Sequence, residues 1–229
     1  PFSRHSNKQK PFHPDIFTLR LESDLVAKLD KVTTLYKVTI AEFLFACWQT
    51  LLWRMTGQSD IVVNTIYAGR KYDELHETLG LLARSLPVHC HFQDNFKFKE
   101  ILLSIASTLS SHEKWQEYFI CEEHEDYDNS SLSLPISFEF SRWSNQFVSR
   151  EVSFSLEKQH VCFERFQLKL NCVLQQGAFA TEFHYNSEII SLESIQYLAE
   201  QFQTLVTSAL NNPEALVGEL TIMSDRQLQ

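Results

Sequence analysis

The chain has 229 residues, with 20 Lys+Arg against 29 Asp+Glu for a formal charge of −9, and 44% of its residues are hydrophobic, 18 of them Phe. This composition excludes intrinsic disorder and supplies a buried core for one large domain or two small ones. The acidic balance, with no basic stripe or Arg-rich arm, argues against nucleic acid or an anionic membrane surface as partner.

No apolar run approaches the roughly 20 residues that a membrane-spanning helix needs. The best, Phe43 to Trp48, stops at Gln49. The N-terminal PFSRHSNKQK is basic but leads into a Pro-containing stretch, not an apolar one, so it does not read as a signal peptide. A first residue of Pro reads as a cut from a longer chain. Cys47, Cys90, Cys121, Cys162 and Cys172 are odd in number and form no C-x-x-C pair, which indicates neither a disulfide framework nor a zinc ribbon and fits a reducing cytoplasm.

Residues 1–14, with prolines at 1, 11 and 14, read as an extended linker into a strand from Ile16 to Leu21. Ser23 is placed to cap a helix with Leu25, Leu29, Val32 and Tyr36 on one face. Thr39-Ile-Ala-Glu42 is a capping box opening a second helix, whose stripe Ile40, Phe43, Leu44, Cys47, Leu51 and Leu52 ends near Gly57. The β-branched run Asp60 to Ile66 predicts a buried strand leading to Ala68-Gly69-Arg70. A further strand is predicted over Ser85 to Phe92, and then a helix marked by Phe98, Ile101, Leu102, Ile105 and Leu109. The acidic run from Glu122 to Ser133 reads as a loop. Beyond it the period changes to two: Leu134, Ile136, Phe138 and Phe140 alternate, as do Phe166, Leu168, Leu170, Cys172 and Leu174, predicting strands with one buried face. Gln175-Gln-Gly177 predicts a hairpin into a strand through Tyr185, and Ser191 caps a last helix carrying Leu192, Ile195, Leu198, Phe202, Leu205 and Ala209. The interleaving predicts an α/β fold, a mixed sheet flanked by helices.

Chemistry is harder to place. The sequence holds no GxGxxG, P-loop, GxSxG or HExxH. His89-Cys-His91 puts two imidazoles on one strand face and Cys121-Glu-Glu-His124 adds a pair, but neither reaches a four-ligand spacing, so no metal site is expected. Ser137 and Glu139 share the strand face opposite Phe138, where they would line a cleft or simply meet solvent.

The stretch TIAEFLFACWQTLLWRMTGQSDIVVNTIYAGR, followed by ELHETLGLLARSLPV, resembles the C-terminal half of condensation domains of nonribosomal peptide synthetases, in which a "ltGqdDivvG" turn and strand lead to "aGR" and then to "iGlfvNtlplR". The likeness continues through FERFQLKLNCVLQQGAFATEFHYNSEIISLESIQYLAEQFQTLV, similar to the closing "fdl…YntdlFd" strands and helix. The resemblance implies a lobe like that of chloramphenicol acetyltransferase, spanning residues 15–210, with 211–229 a linker toward an adenylation domain. It implies participation in amide formation, in which the amine of a carrier-bound acceptor attacks a carrier-bound thioester, both held on phosphopantetheine arms of partner carrier domains. No cofactor is expected on this chain itself. The family's HHxxxDG lies in the N-terminal lobe and has no counterpart here, so no catalytic residue is expected and the chain alone should be inactive. It would serve as a tunnel wall beside an N-terminal condensation lobe or as a scaffold for the adenylation domain; the alternatives are half of an active two-lobe enzyme, or a self-associating acyltransferase using His89 or His112. The resemblance implies Arg84 and Ser85 as substrate-tunnel residues, to which the strand-face reading adds Ser137 and Glu139, and it implies Gly69, Arg70, Gly80, Tyr185 and Asn186 as structural motif positions. Arg84 stands where the family has Asn, and His89 where it has Arg.

Overall fold

The computed structural model describes residues 12–21, 23–118, 135–143, 147–154, 166–175 and 178–223. In chain order they form β1 (Pro14–Leu21), α1 (Ser23–Tyr36), α2 (Ile40–Thr56), β2 (Asp60–Tyr67), β3 (Arg84–His91), α3 (Phe98–Trp115), β4 (Ile136–Trp143), β5 (Phe147–Ser149), β6 (Val152–Phe154), β7 (Leu168–Gln175), β8 (Ala178–Asn186) and α4 (Leu192–Asn211). Six strands make a mixed sheet in the order β1-β8-β7-β4-β2-β3, with β4 parallel to both β2 and β7. The other neighbours run antiparallel.

Helix α2 organises the core because its ends are fixed locally and its body is apolar nearly all round. Thr39 Oγ1 accepts the N–H of Glu42 at 3.2 Å and Glu42 accepts the N–H of Thr39 at 2.6 Å, the reciprocal capping box; Gly57 closes the other end, its N–H donating to the Trp53 carbonyl. Ile40 and every residue from Phe43 to Trp53 are buried, so α2 lies at the centre of the helix layer, against the sheet and flanked by the other helices. Its rings settle which sheet face it covers: Phe45 meets Phe138 of β4 at 4.8 Å, and Trp48 meets Phe183 of β8 at 6.2 Å and Phe202 of α4 at 6.0 Å. Helices α1, α3 and α4 each contact α2, α1 also contacts α4, and the four form a single layer on that face.

Three findings depart from the sequence pattern. Strands β4 and β7 are not buried on one face only: Lys169, Asn171 and Val173 are buried along with Leu168, Leu170 and Cys172, and Ser137 along with Phe138. Period two shows that two faces differ in polarity, not that the polar one meets water, and β7 is paired on both sides, with β8 and β4. The β5–β6 hairpin has no counterpart among the predicted elements, since three-residue strands are too short to show alternation; it forms a separate two-stranded sheet with Val152 and Phe154 exposed. Residues after α4, expected as the start of a linker, are held against the body: Val217 and Leu220 are buried, Arg54 donates to both of their carbonyls, and the Phe98 N–H donates to Ala215. At the other end β1 begins at Pro14, inside the expected linker. The expected loop at 122–133 and the 176–177 turn lie outside the described residues.

Candidate functional site

The face of the sheet opposite the helices carries a row of polar side chains in register across four strands. Asn64 of β2 pairs with Ser137 of β4, Ser137 with Lys169 of β7, and Lys169 with His184 of β8. All four are buried, none more than 8% exposed. Beside this row Glu139, Asn171 and Glu182 occupy consecutive register positions. Buried polar groups have to satisfy one another. Lys169 Nζ meets Glu139 Oε2 at 3.1 Å, Ser141 Oγ donates to Asn171 Oδ1 at 3.2 Å, Asn171 Nδ2 donates to Glu182 Oε2 at 3.1 Å, and the His184 imidazole shares that oxygen at 3.1 Å. The Lys169 ammonium also stands 5.8 Å from the Phe166 ring centre. The result is a wall of hydroxyls, carboxamides and paired charges, not a nucleophile poised on a base.

The expected tunnel residues fall into two groups. Ser137 and Glu139 are on this wall. Ser85 is on the same face, opposite Ile66 in the β2–β3 register, and its buried Oγ has no hydrogen-bond partner. Arg84 points the other way, its guanidinium donating at 3.3 Å to the carbonyls of Gln116 and Glu117 at the end of α3. There it neutralises the negative end of a helix.

The motif positions carry structural loads. A side chain at Gly69 (φ 66°) would put Cβ 1.8 Å from the Leu82 carbonyl oxygen, so the β2–β3 connection closes only over glycine. Arg70 donates to the carbonyls of Leu75 and Thr78 and fastens the same connection, and Gly80 turns it at φ 150°. Tyr185 donates to Asp15 Oδ2 at 3.2 Å, and burial together with that carboxylate raises its phenol pKa. Asn186 Oδ1 accepts the N–H groups of His13 and Glu188, tying the chain before β1 to the end of β8.

The histidines weighed as metal ligands have another role. His89 Nε2 and His91 Nδ1 stand 2.8 and 2.9 Å from one oxygen of Asp60, and those two contacts hold the Asp60 carboxyl below its ordinary pKa. Among the described residues no group of three or more His, Cys, Asp or Glu is arranged to hold a metal ion. Cys121 and His124 lie outside them. Cys47, Cys90 and Cys172 are free thiols whose pKa burial raises, Cys90 to about 12, which leaves them unreactive packing residues. No helix among the described residues is long and apolar enough to cross a membrane.

Sequence reading missed Lys169, Asn171, Glu182 and His184. The signal was present in FQLKLNCVLQ and TEFHYN, where polar residues alternate with apolar ones; what was hidden was which strand supplied each partner.

The family model for the condensation domain matches residues 1–229. The chain belongs to the condensation-domain family. Bacitracin synthase 2 of Bacillus licheniformis is 24% identical over 236 residues, covering 96% of this chain and 9% of that protein. Gramicidin S synthase 2 of Brevibacillus brevis is 24% identical over 228 residues, covering 93% and 5%. Among solved structures, the first condensation domain of the calcium-dependent antibiotic synthetase in complex with a substrate analogue superposes with a TM-score of 0.76 at 17% identity, over 92% of this chain and 47% of that one. A four-domain nonribosomal peptide synthetase bound to AMP and glycine superposes with a TM-score of 0.79 at 17% identity, over 93% and 18%. The mixed sheet with its helix layer is the condensation-domain fold, like chloramphenicol acetyltransferase. This chain spans less than a tenth of the synthetases it matches in sequence, and about half of the single condensation domain it matches in structure.

Proposed function

We propose that this chain is the C-terminal half of a condensation domain of a nonribosomal peptide synthetase, and that it works as one wall of the channel in which an amide bond is formed. The observation that carries this reading is the half-coverage: 92% of the chain superposes on 47% of a complete condensation domain. The order of the sequence motifs supports the C-terminal half. In the proposed reaction the amine of a carrier-bound acceptor attacks a carrier-bound thioester, and a thiol leaves. The amine must lose a proton during attack, a task in which a placed acid–base group contributes about 10²–10⁴-fold. No two histidines are adjacent in this sequence, so the proton-handling group of the paired-histidine motif is assigned to a companion N-terminal lobe.

The share of this chain is positional. Ser137 offers a hydroxyl to passing phosphopantetheine arms, Ser85 stands on the same face with its hydroxyl covered, and Glu139, held by Lys169, keeps the wall polar and fixed. Arg84 is a brace for α3. The phosphopantetheine belongs to carrier domains, and the packed segment through residue 222 leads toward an adenylation domain that the lobe supports, all in the cytoplasm. The test is reconstitution. The chain is mixed with a condensation N-terminal lobe bearing HHxxxDG and two loaded carrier domains, and peptide formation is followed by mass spectrometry. The expected result is product with both halves and none with either alone; product from this chain alone, or none from the stably paired halves, contradicts the proposal.

A further inference from the structure

Large apolar side chains left in water gather at one end of the β2–β3 ribbon. Tyr72, Leu79 and Leu81 belong to the connection between these strands, Trp115 and Tyr118 lie at and just beyond the end of α3, and all five are half exposed or more. A lone exposed apolar residue is ordinary, but a gathering that includes three aromatics marks a contact surface. Side-chain contacts draw the group together. The Trp115 and Tyr118 ring centres are 5.6 Å apart, Tyr72 Oη donates to Glu117 Oε2 at 3.2 Å, and Lys71 Nζ donates to the Lys114 carbonyl at 3.0 Å, so the connection lies against the end of α3.

The surface is braced. Arg70 donates to the carbonyls of Leu75 and Thr78, just before Leu79. Just after Leu81 the chain returns so closely to Gly69 that the Leu82 carbonyl fills the place of a Cβ, and Arg84 then fastens the start of β3 to the carbonyls of Gln116 and Glu117. Leu79, 98% exposed, is held in water between these points. It gains nothing from packing within this chain, whereas an apolar surface carrying Tyr and Trp on a braced backbone has the composition of a protein–protein contact and a low ordering cost on binding. Its place indicates what it meets. Ile66 of β2 is exposed on the polar-wall side, opposite Ser85, so the apolar surface begins where the wall ends. A second lobe that faces the wall across a channel has to rest on this lobe beside the wall without covering it. The chain matches 47% of a complete condensation domain, which leaves about half of that fold to supply such a lobe.

We propose that Leu79 and Leu81, with Tyr72, Trp115 and Tyr118, form the seat on which a companion N-terminal condensation lobe docks through an apolar patch of its own. The inference rests on the two-lobe reading above and adds to it the surface that joins the lobes. The test measures the Kd between the full chain and a condensation N-terminal lobe bearing HHxxxDG by isothermal titration calorimetry. The double variant Leu79→Ser, Leu81→Ser and the single variant Trp115→Ser change exposed side chains, so Tm should stay within about 2 °C of the parent. Each should weaken binding about tenfold or more. Leu35→Ser is the control: Leu35 is as exposed as Leu81 but sits on α1, which packs over β8 toward the opposite edge of the sheet, and its loss should leave Kd unchanged. Parent-like affinity in either test variant overturns this inference and leaves the two-lobe reading standing, whereas no binding by the parent chain overturns both. Self-association of the parent chain that the test variants abolish would assign the surface to a second copy of this chain, and also overturns the proposal.

Discussion

Under the helices the sheet is closed by rings, Phe45 on Phe138 and Trp48 on Phe183; on the other face it is closed by Lys169 on Glu139 and by Asn171 and His184 on Glu182. Both faces are buried at the centre, but they stay folded for different reasons. An apolar face contributes in proportion to the area it removes from water and tolerates imperfect partners. A polar face gains little from each bond and loses heavily when one partner is missing. The same sheet therefore has one face devoted to stability and another whose stability is conditional, and a working surface belongs on the second.

The comparison can be broken from either side. The largest loss is expected on the apolar face: Phe202→Ala, at a fully buried position beside Trp48 and Phe183, should cost about 3–5 kcal/mol in denaturant unfolding. On the polar face Lys169→Met should cost about 2–3 kcal/mol, somewhat less than a fully buried pair because the Glu139 side chain is 31% exposed, by leaving that carboxylate unpaired. Replacing both partners by Met should recover most of that loss. A double replacement as costly as the single one would show that the pair is not the organising feature of that face.

Gly69→Ala tests the connection between β2 and β3. About 1–2 kcal/mol of left-handed backbone strain, added to the clash with Leu82, should appear as faster hydrogen exchange across that connection. The smallest effect is electrostatic. Asp60 has a lowered folded pKa, so its contribution is present above the unfolded value near 3.9 and is lost as pH falls through the lower folded value. Asp60→Asn should therefore lower Tm slightly above about pH 5, where the contribution is fully present, and the two Tm-against-pH curves should converge as pH falls below about 4, so that the variant has the flatter acid limb. An unchanged acid limb would mean that the two histidines do not hold the carboxylate in solution.

Much of the apolar face was legible in the sequence. The capping box at Thr39–Glu42, the stop at Gly57, the stripe of α4 and the strand at Asp60 to Ile66 are written in local periodicity and local hydrogen bonds. The polar wall was legible only in part. Ser137 and Glu139 could be put on one face by counting in twos, yet the partner of Glu139 lies 30 residues away on a parallel strand, and that of Asn171 lies 11 residues on, across a hairpin. Pairings of that kind follow from strand order, and the order β8-β7-β4-β2 depends on crossovers that no local pattern records. Arg84 shows the same limit: its place in the motif suggested a channel, and the strand register turned it toward the end of α3.

The most direct measurement compares the two faces inside the reconstituted reaction. Ser85→Ala and Ser137→Ala change the polar wall by one oxygen each and should leave Tm within about 2 °C of the parent, a shift of less than about 1 kcal/mol. If this face is the channel wall, kcat/KM for amide formation should fall about tenfold or more in at least one of them, as expected when a hydrogen bond to the reacting arms is lost. Both variants stable and fully active would contradict the assignment of this face as the working surface.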